Sequence, residues 1–181
     1  RLLCASMIKV VVIGLGRLGL PLASVLSRNP DLEVVGVDIR EALIENLSKG
    51  IVTLQEPDVD ISRVHGFTTQ FDEALHDAKA AFIVVNTPLE ERVGVINGLS
   101  HVDVVRACQD AAQALPVGAI IVLASTVDAQ PLVLLRHDAK IPDDIQLIYQ
   151  PQFIALGNVV QDLPEPDFDL YGVDMKRSAD I

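Results

Sequence analysis

An apolar run that ends in three spaced glycines constrains this chain more than any other feature. Ile8 to Ile13 is continuous and rich in β-branched residues, as befits a strand covered on both faces. It passes directly into Gly14-x-Gly16-x-x-Gly19 and then into a helical pattern from Arg17 to Leu26, with Leu18, Leu22, Val25 and Leu26 at helical spacing. Gly14 suits a tight strand-to-helix turn, Gly16 lets a pyrophosphate approach the backbone, and Gly19 lets helix and strand pack closely. The helix that follows would present unpaired N–H groups and a positive dipole end to that phosphate. Such a glycine pattern alone is weak evidence. Here Val34-Val-Gly-Val-Asp38 supplies an acid nineteen residues after Gly19, which makes it the signature of a dinucleotide site.

Asp38 ends the second expected strand, Glu33 to Val37, where a carboxylate can accept hydrogen bonds from the adenosine ribose. It would repel a 2′-phosphate, which favours NAD over NADP. Arg40 tempers that preference, since an arginine nearby could meet such a phosphate. A second reading makes Asp38 the cap of the helix expected over Glu41 to Lys49, which Gly50 closes.

A chain of 181 residues suits one α/β domain that buries roughly 70% of its extended-chain surface. Half its residues are apolar, which argues against disorder, and its net charge of −11 argues against nucleic-acid binding. No membrane span is expected, because Lys9, Arg17 and Arg28 interrupt the apolar region around the glycines. Cys4 and Cys108 make neither a disulfide framework nor a metal pattern, which points to a reducing, cytoplasmic setting. Arg1 to Ser6 precede Met7 and are expected to be a tag or upstream remnant.

Further strands are expected at Ala80–Val85, Ala119–Leu123 and Ile145–Tyr149, with edge strands at Phe67–Thr69 and Leu170–Val173. Helices are expected over Phe71–His76, Ser100–Leu115 and Pro131–His137. The long helix would bury Val102, Val105, Ala112 and Leu115, with Ser100 as its cap and Cys108 as a buried structural thiol. Ile51–Gly66, containing His65, reads as surface loop, Glu90–Leu99 as a mobile loop around Gly94 and Gly98, and Asp162–Asp169 as a Pro- and Asp-rich loop. The whole is a Rossmann-type, doubly wound, mostly parallel sheet of six or more strands with helices on both faces. Ligands bind such sheets outside the carboxyl ends of strands. Asn86-Thr87-Pro88 and Ser125-Thr126-Val127 stand there, and two strand-end hydroxyls lie where a nicotinamide ring would sit. For Thr126 a helix cap is the plainer alternative.

Taken in order, Val12 to Ala23, Val37-Asp38, Glu56-Pro57, Asn86 to Pro88, Ser125 to Val127, Tyr149 to Gly157 and Asp162 to Gly172 resemble the N-terminal NAD-binding domain of the UDP-glucose/GDP-mannose dehydrogenase family. The glycine motif alone would equally suit 6-phosphogluconate and 3-hydroxyisobutyrate dehydrogenases; the strand-end signatures separate the family from them. The resemblance implies that members oxidise the C6 hydroxyl of a nucleotide sugar to a carboxylate with NAD. It further implies that Gly14, Leu15, Gly16, Arg17 and Leu18 surround the pyrophosphate and that Asp38 and Arg40 lie at the ribose. Thr87, Pro88 and Thr126 would line the nicotinamide side, and Gln152 and Phe153 would lie toward the substrate.

Three positions depart from the family pattern. Gln152 and Leu156 stand where glutamates are usual, and Asp128 stands where proline is. An amide does not titrate in the useful range, so Gln152 cannot act as a general base. The family's nucleophilic cysteine and catalytic lysine would lie in central and C-terminal domains beyond Ile181. This chain by itself is therefore expected to bind NAD without completing the oxidation, which needs a covalent thiol intermediate. The alternative is a stand-alone, non-catalytic NAD-binding module or a truncated remnant. A nucleotide sugar is expected as partner only with those domains present, and self-association is left open.

Overall fold

The computed structural model describes residues 6–92, 95–128 and 132–173. The expected starts at Arg1 and Pro131, the loop glycine Gly94, and Ala129-Gln130 lie outside them.

β1 (Ile8–Ile13), β2 (Leu32–Val37), β3 (Gly66–Thr68), β4 (Ala80–Ile83), β7 (Ile120–Leu123), β8 (Gln146–Tyr149) and β9 (Gly172–Val173) form one seven-stranded sheet, ordered β3-β2-β1-β4-β7-β8-β9. Every pairing in it is parallel except β8 with β9. The period-2 geometry of a strand sends alternate residues to opposite faces. Val10 and Val12 accordingly join one core and Val11 and Ile13 the other. The first core is closed by α1 (Gly19–Leu26) and α2 (Glu41–Ser48), the second by α3 (Phe71–Leu75), α4 (Val102–Ala114) and α5 (Leu132–Asp138). Each fully buried Val, Leu or Ile contributes about 1.5–3 kcal/mol. β4 and β7 are apolar throughout, and β1 from Val10 to Ile13, for that reason.

β1 pairs with β2 on one side and with β4 on the other, so the chain reverses its direction of winding beside β1. The carboxyl ends of β1, β2 and β4 therefore splay around a crevice.

Four expectations need correction. α1 begins at Gly19, two residues later than expected, because Gly16 to Leu18 form a turn at the loop. Within the expected loop Glu90–Leu99, residues 90–92 and 95–99 are strand. They belong to β5 (Leu89–Arg92) and β6 (Val95–Leu99), an antiparallel hairpin with a register shift between Leu89 and Glu91. Ser100 N–H closes the hairpin's base on the Pro88 carbonyl (2.7 Å). Ser100 is therefore no cap: α4 starts at Val102 behind His101, with no side-chain cap bond.

The buried stripe expected on α4 holds at Ala112 and Leu115, with Val105 partly buried against the core, and fails at Val102. Val104, Ala107, Cys108 and Ala111 face the sheet, with Ala112 beside them, whereas Val102 is 68% exposed. Within the expected Pro- and Asp-rich stretch, a short helix α6 (Val159–Asp162) reaches to Asp162 and packs against α1.

Candidate functional site

A cleft of about 700 Å³ opens at the carboxyl ends of β1, β2 and β4. One wall is the glycine turn, a second is the Asp38–Arg40 stretch, and the third is Val84 to Asn86 with α4. The three glycines do different jobs. Gly14 has φ +93°, and a Cβ on it would lie 2.3 Å from the Val84 carbonyl oxygen. A Cβ on Gly19 would lie 1.8 Å from the Gly14 carbonyl oxygen. Both positions are closed to any side chain by the protein's own backbone. A Cβ on Gly16 would meet nothing within 4 Å, and Gly16 lines the cleft. Its missing side chain leaves space in the cleft rather than relieving a clash, which fits a group laid across the turn.

Asp38 is 5% exposed and holds the cleft together. Its Oδ2 accepts the Leu15 N–H at 2.8 Å, and its Oδ1 accepts the Arg40 N–H at 3.0 Å. The Arg40 fork donates Nε to Oδ1 and Nη2 to Oδ2, both at 2.9 Å. Burial works against ionisation of Asp38. The hydrogen bonds from the Arg40 side chain and from the Leu15 and Arg40 amides outweigh it and hold the carboxyl below the usual carboxylate range. Arg40 is raised in turn by its bond to Asp38. The helix-cap reading of Asp38 fails, since α2 is preceded by Arg40 and has no side-chain cap bond.

Of the residues singled out in sequence, Gly14, Leu15, Gly16, Arg17, Asp38 and Arg40 share this cleft. Leu18, Thr87, Pro88, Thr126, Gln152 and Phe153 do not line it. Thr87 and Thr126 stand just past the ends of β4 and β7, on tails stitched together by Ser125. Its buried Oγ accepts the Val85 N–H and donates to the Val85 carbonyl, each at 2.9 Å. Gln152 turns its Nε2 onto the Gln150 carbonyl (3.0 Å), and Phe153 stacks on Phe168 with ring centroids 4.4 Å apart.

Asp128 donates its main-chain N–H to His101 Nε2 (3.3 Å). Its carboxylate accepts the Leu99 N–H (3.0 Å). Asp128 thus ties the β5–β6 hairpin to the loop that carries Thr126.

Two features escaped sequence reasoning. Glu56, in what reads as a surface loop, has a fully buried side chain that accepts the Gly157 N–H at 2.8 Å and faces Arg17 Nη2 at 3.4 Å. It joins the glycine turn to the segment carrying Gln152. The only sequence signal was the Glu-Pro pair itself. On α4, Asp103, Arg106 and Asp110 line the far side of the cleft. They flank the stripe Val104, Ala107, Cys108 and Ala111, and correct placement of that stripe would have aimed them there. His65, expected as a solvated loop residue, is exposed and accepts the Val34 N–H through Nδ1 (3.1 Å), a sheet-edge role away from the cleft. Among the described residues, no group of His, Cys, Asp and Glu could hold a metal ion, and no helix is long and apolar enough to cross a membrane.

The profile described as the UDP-glucose/GDP-mannose dehydrogenase family, NAD binding domain, matches residues 8–181. The chain belongs to that family. Over 181 residues it is 31% identical to UDP-glucose 6-dehydrogenase 2 of Oryza sativa subsp. japonica, covering 92% of this chain and 37% of that protein. It is 30% identical over 177 residues to UDP-N-acetyl-D-mannosamine dehydrogenase of Methanococcus maripaludis, covering 96% and 40%. In fold it is similar to a UDP-glucose dehydrogenase from the archaeon Pyrobaculum islandicum, with TM-score 0.82 at 22% identity, covering 98% of this chain and 43% of that one. The chain thus spans about two fifths of the length of these relatives, the part that is the NAD-binding domain.

Proposed function

We propose that this NAD-binding domain serves a nucleotide-sugar 6-dehydrogenase and that its cofactor lies in the cleft between the glycine turn and Asp38. The observation that carries the placement is Gly16, whose absent side chain leaves open space in the cleft while Gly14 and Gly19 are needed by the backbone itself. The pyrophosphate is assigned to the turn Gly14 to Leu18, where main-chain amides at the start of α1 favour an anion. Asp38 is assigned to the adenosine ribose, and its buried negative charge favours NAD over NADP.

When bound, NAD supplies the hydride acceptor for alcohol oxidation. The chain's own part is to hold and orient it. Thr87, Pro88 and Thr126 are assigned to the nicotinamide end, where Ser125 and Asp128 fix the two strand tails. Gln152 and Phe153 are assigned to the sugar side. Gln152 offers an amide for binding and no base, so proton removal is left to groups elsewhere in a protein of the relatives' length. The sugar, any self-association and a cytoplasmic setting belong to the same proposal; the buried free thiol of Cys108 supports a reducing compartment.

Isothermal calorimetry with NAD and NADP tests the reading. NAD is expected to bind, and Asp38→Ala is expected to weaken NAD about tenfold and narrow its advantage over NADP. An unchanged NAD-to-NADP ratio in that variant would remove Asp38 from the ribose.

A further inference from the structure

The Asp38 carboxylate is saturated. A carboxylate has about four lone-pair sites, and Leu15 N–H, Arg40 N–H, Arg40 Nε and Arg40 Nη2 supply four donors at 2.8 to 3.0 Å. The donors are of two kinds. The Leu15 and Arg40 amides belong to the main chain of the glycine turn and of the entry to α2, so they cannot leave without rebuilding the fold. The Arg40 fork belongs to a side chain 58% exposed at the cleft, and it can swing out by side-chain rotation alone. A ribose hydroxyl that donates to Asp38 needs a lone pair that this fork now holds.

We propose that Arg40 is a displaceable latch on Asp38, and that the displaced guanidinium becomes the specificity-determining cation for the 2′ position of the ribose. The proposal rests on the ribose assignment of Asp38. NAD must break a two-pronged, charge-assisted pair to reach the carboxylate and offers the guanidinium no dianion there in exchange. A 2′-phosphate breaks the same pair and does offer one, in the planar fork geometry that arginine matches. While Arg40 is paired, the two charges also cancel, so Asp38 repels a 2′-phosphate less than an isolated carboxylate would. The latch therefore narrows the cofactor preference that Asp38 alone would set.

Calorimetry on the full chain with NAD, NADP, 5′-AMP and 2′,5′-ADP tests this, each variant being shown by thermal melting to be folded. Arg40→Ala keeps the main-chain amide and removes only the fork. It is expected to bind NAD and 5′-AMP about two- to fivefold more tightly, the range of an exposed ion pair. It should bind NADP and 2′,5′-ADP about tenfold more weakly. Arg40→Lys keeps the charge without the fork and should fall between. Weaker NAD binding by Arg40→Ala would overturn the latch, and unchanged 2′,5′-ADP binding would overturn the specificity role. Failure of the ribose assignment itself would show separately, as Asp38→Ala binding 5′-AMP as well as the wild-type chain does.

Discussion

At the scale of single residues, the glycine turn separates packing from ligand space. Gly19→Ala should lose 3 kcal/mol or more, about the upper end of overpacking costs, because its Cβ would stand 1.8 Å from a main-chain oxygen that has nowhere to go. Chemical denaturation measures that directly. Glu56→Ala should cost about 1–3 kcal/mol by leaving the Gly157 N–H without its acceptor, and Glu56→Gln less, since an amide oxygen can still accept it. Equal losses for the two would mean that the charge, facing Arg17, matters more than the hydrogen bond. Asp38 adds a pH dependence. Its carboxyl is more acidic in the folded chain than unfolded, so its contribution is complete above the unfolded value of about 3.9 and drains away as pH falls through the folded one. The stability gap between wild type and Asp38→Asn should therefore shrink below pH about 4. A gap constant down to pH 2 would contradict the depressed value.

At the scale of elements, what was legible in sequence followed the strength of local pattern. β1, β2 and α2 emerged within a residue or so because continuous apolar runs and a closing glycine leave little choice. The hairpin β5–β6 did not. Gly98 and the charges of Glu90 to Arg92 read as loop, while the pairing that makes them strands is between segments and invisible in either alone. On α4, Ala112 and Leu115 were read correctly, but Val102 is exposed and Ala107 and Ala111 were missed, because close helix-to-sheet approach favours the small residues. Glu56 was illegible for a related reason: its donor lies 101 residues away. Cys108 was read correctly as buried, and burial pushes its thiol up to about 12. In a Cys4→Ser variant, the only remaining thiol should resist a disulfide reagent in the native state and react on unfolding. Fast native reaction would place Cys108 outside the core.

At the scale of the whole molecule, the sheet order puts the reversal beside β1, and that reversal opens the cleft between the glycine turn, Asp38 and the end of β4. The pyrophosphate and ribose parts of the proposed cofactor site are therefore built into the topology. The nicotinamide and sugar parts are not, since the strand-end threonines and Gln152 stand outside the cleft and the chain covers about two fifths of its relatives. This chain alone is expected to form no NADH from NAD and UDP-glucose, as an absorbance assay would show, and measurable turnover would overturn that expectation.

Whether the space at Gly16 is kept for NAD is decided by Gly16→Val, with NAD calorimetry and a thermal melt on the same sample. The melting temperature is expected to stay near that of the wild-type chain and NAD binding to weaken at least about tenfold, because the new side chain enters the cleft and not the core. Undiminished NAD binding by a folded Gly16→Val chain would show that the space is not kept for NAD.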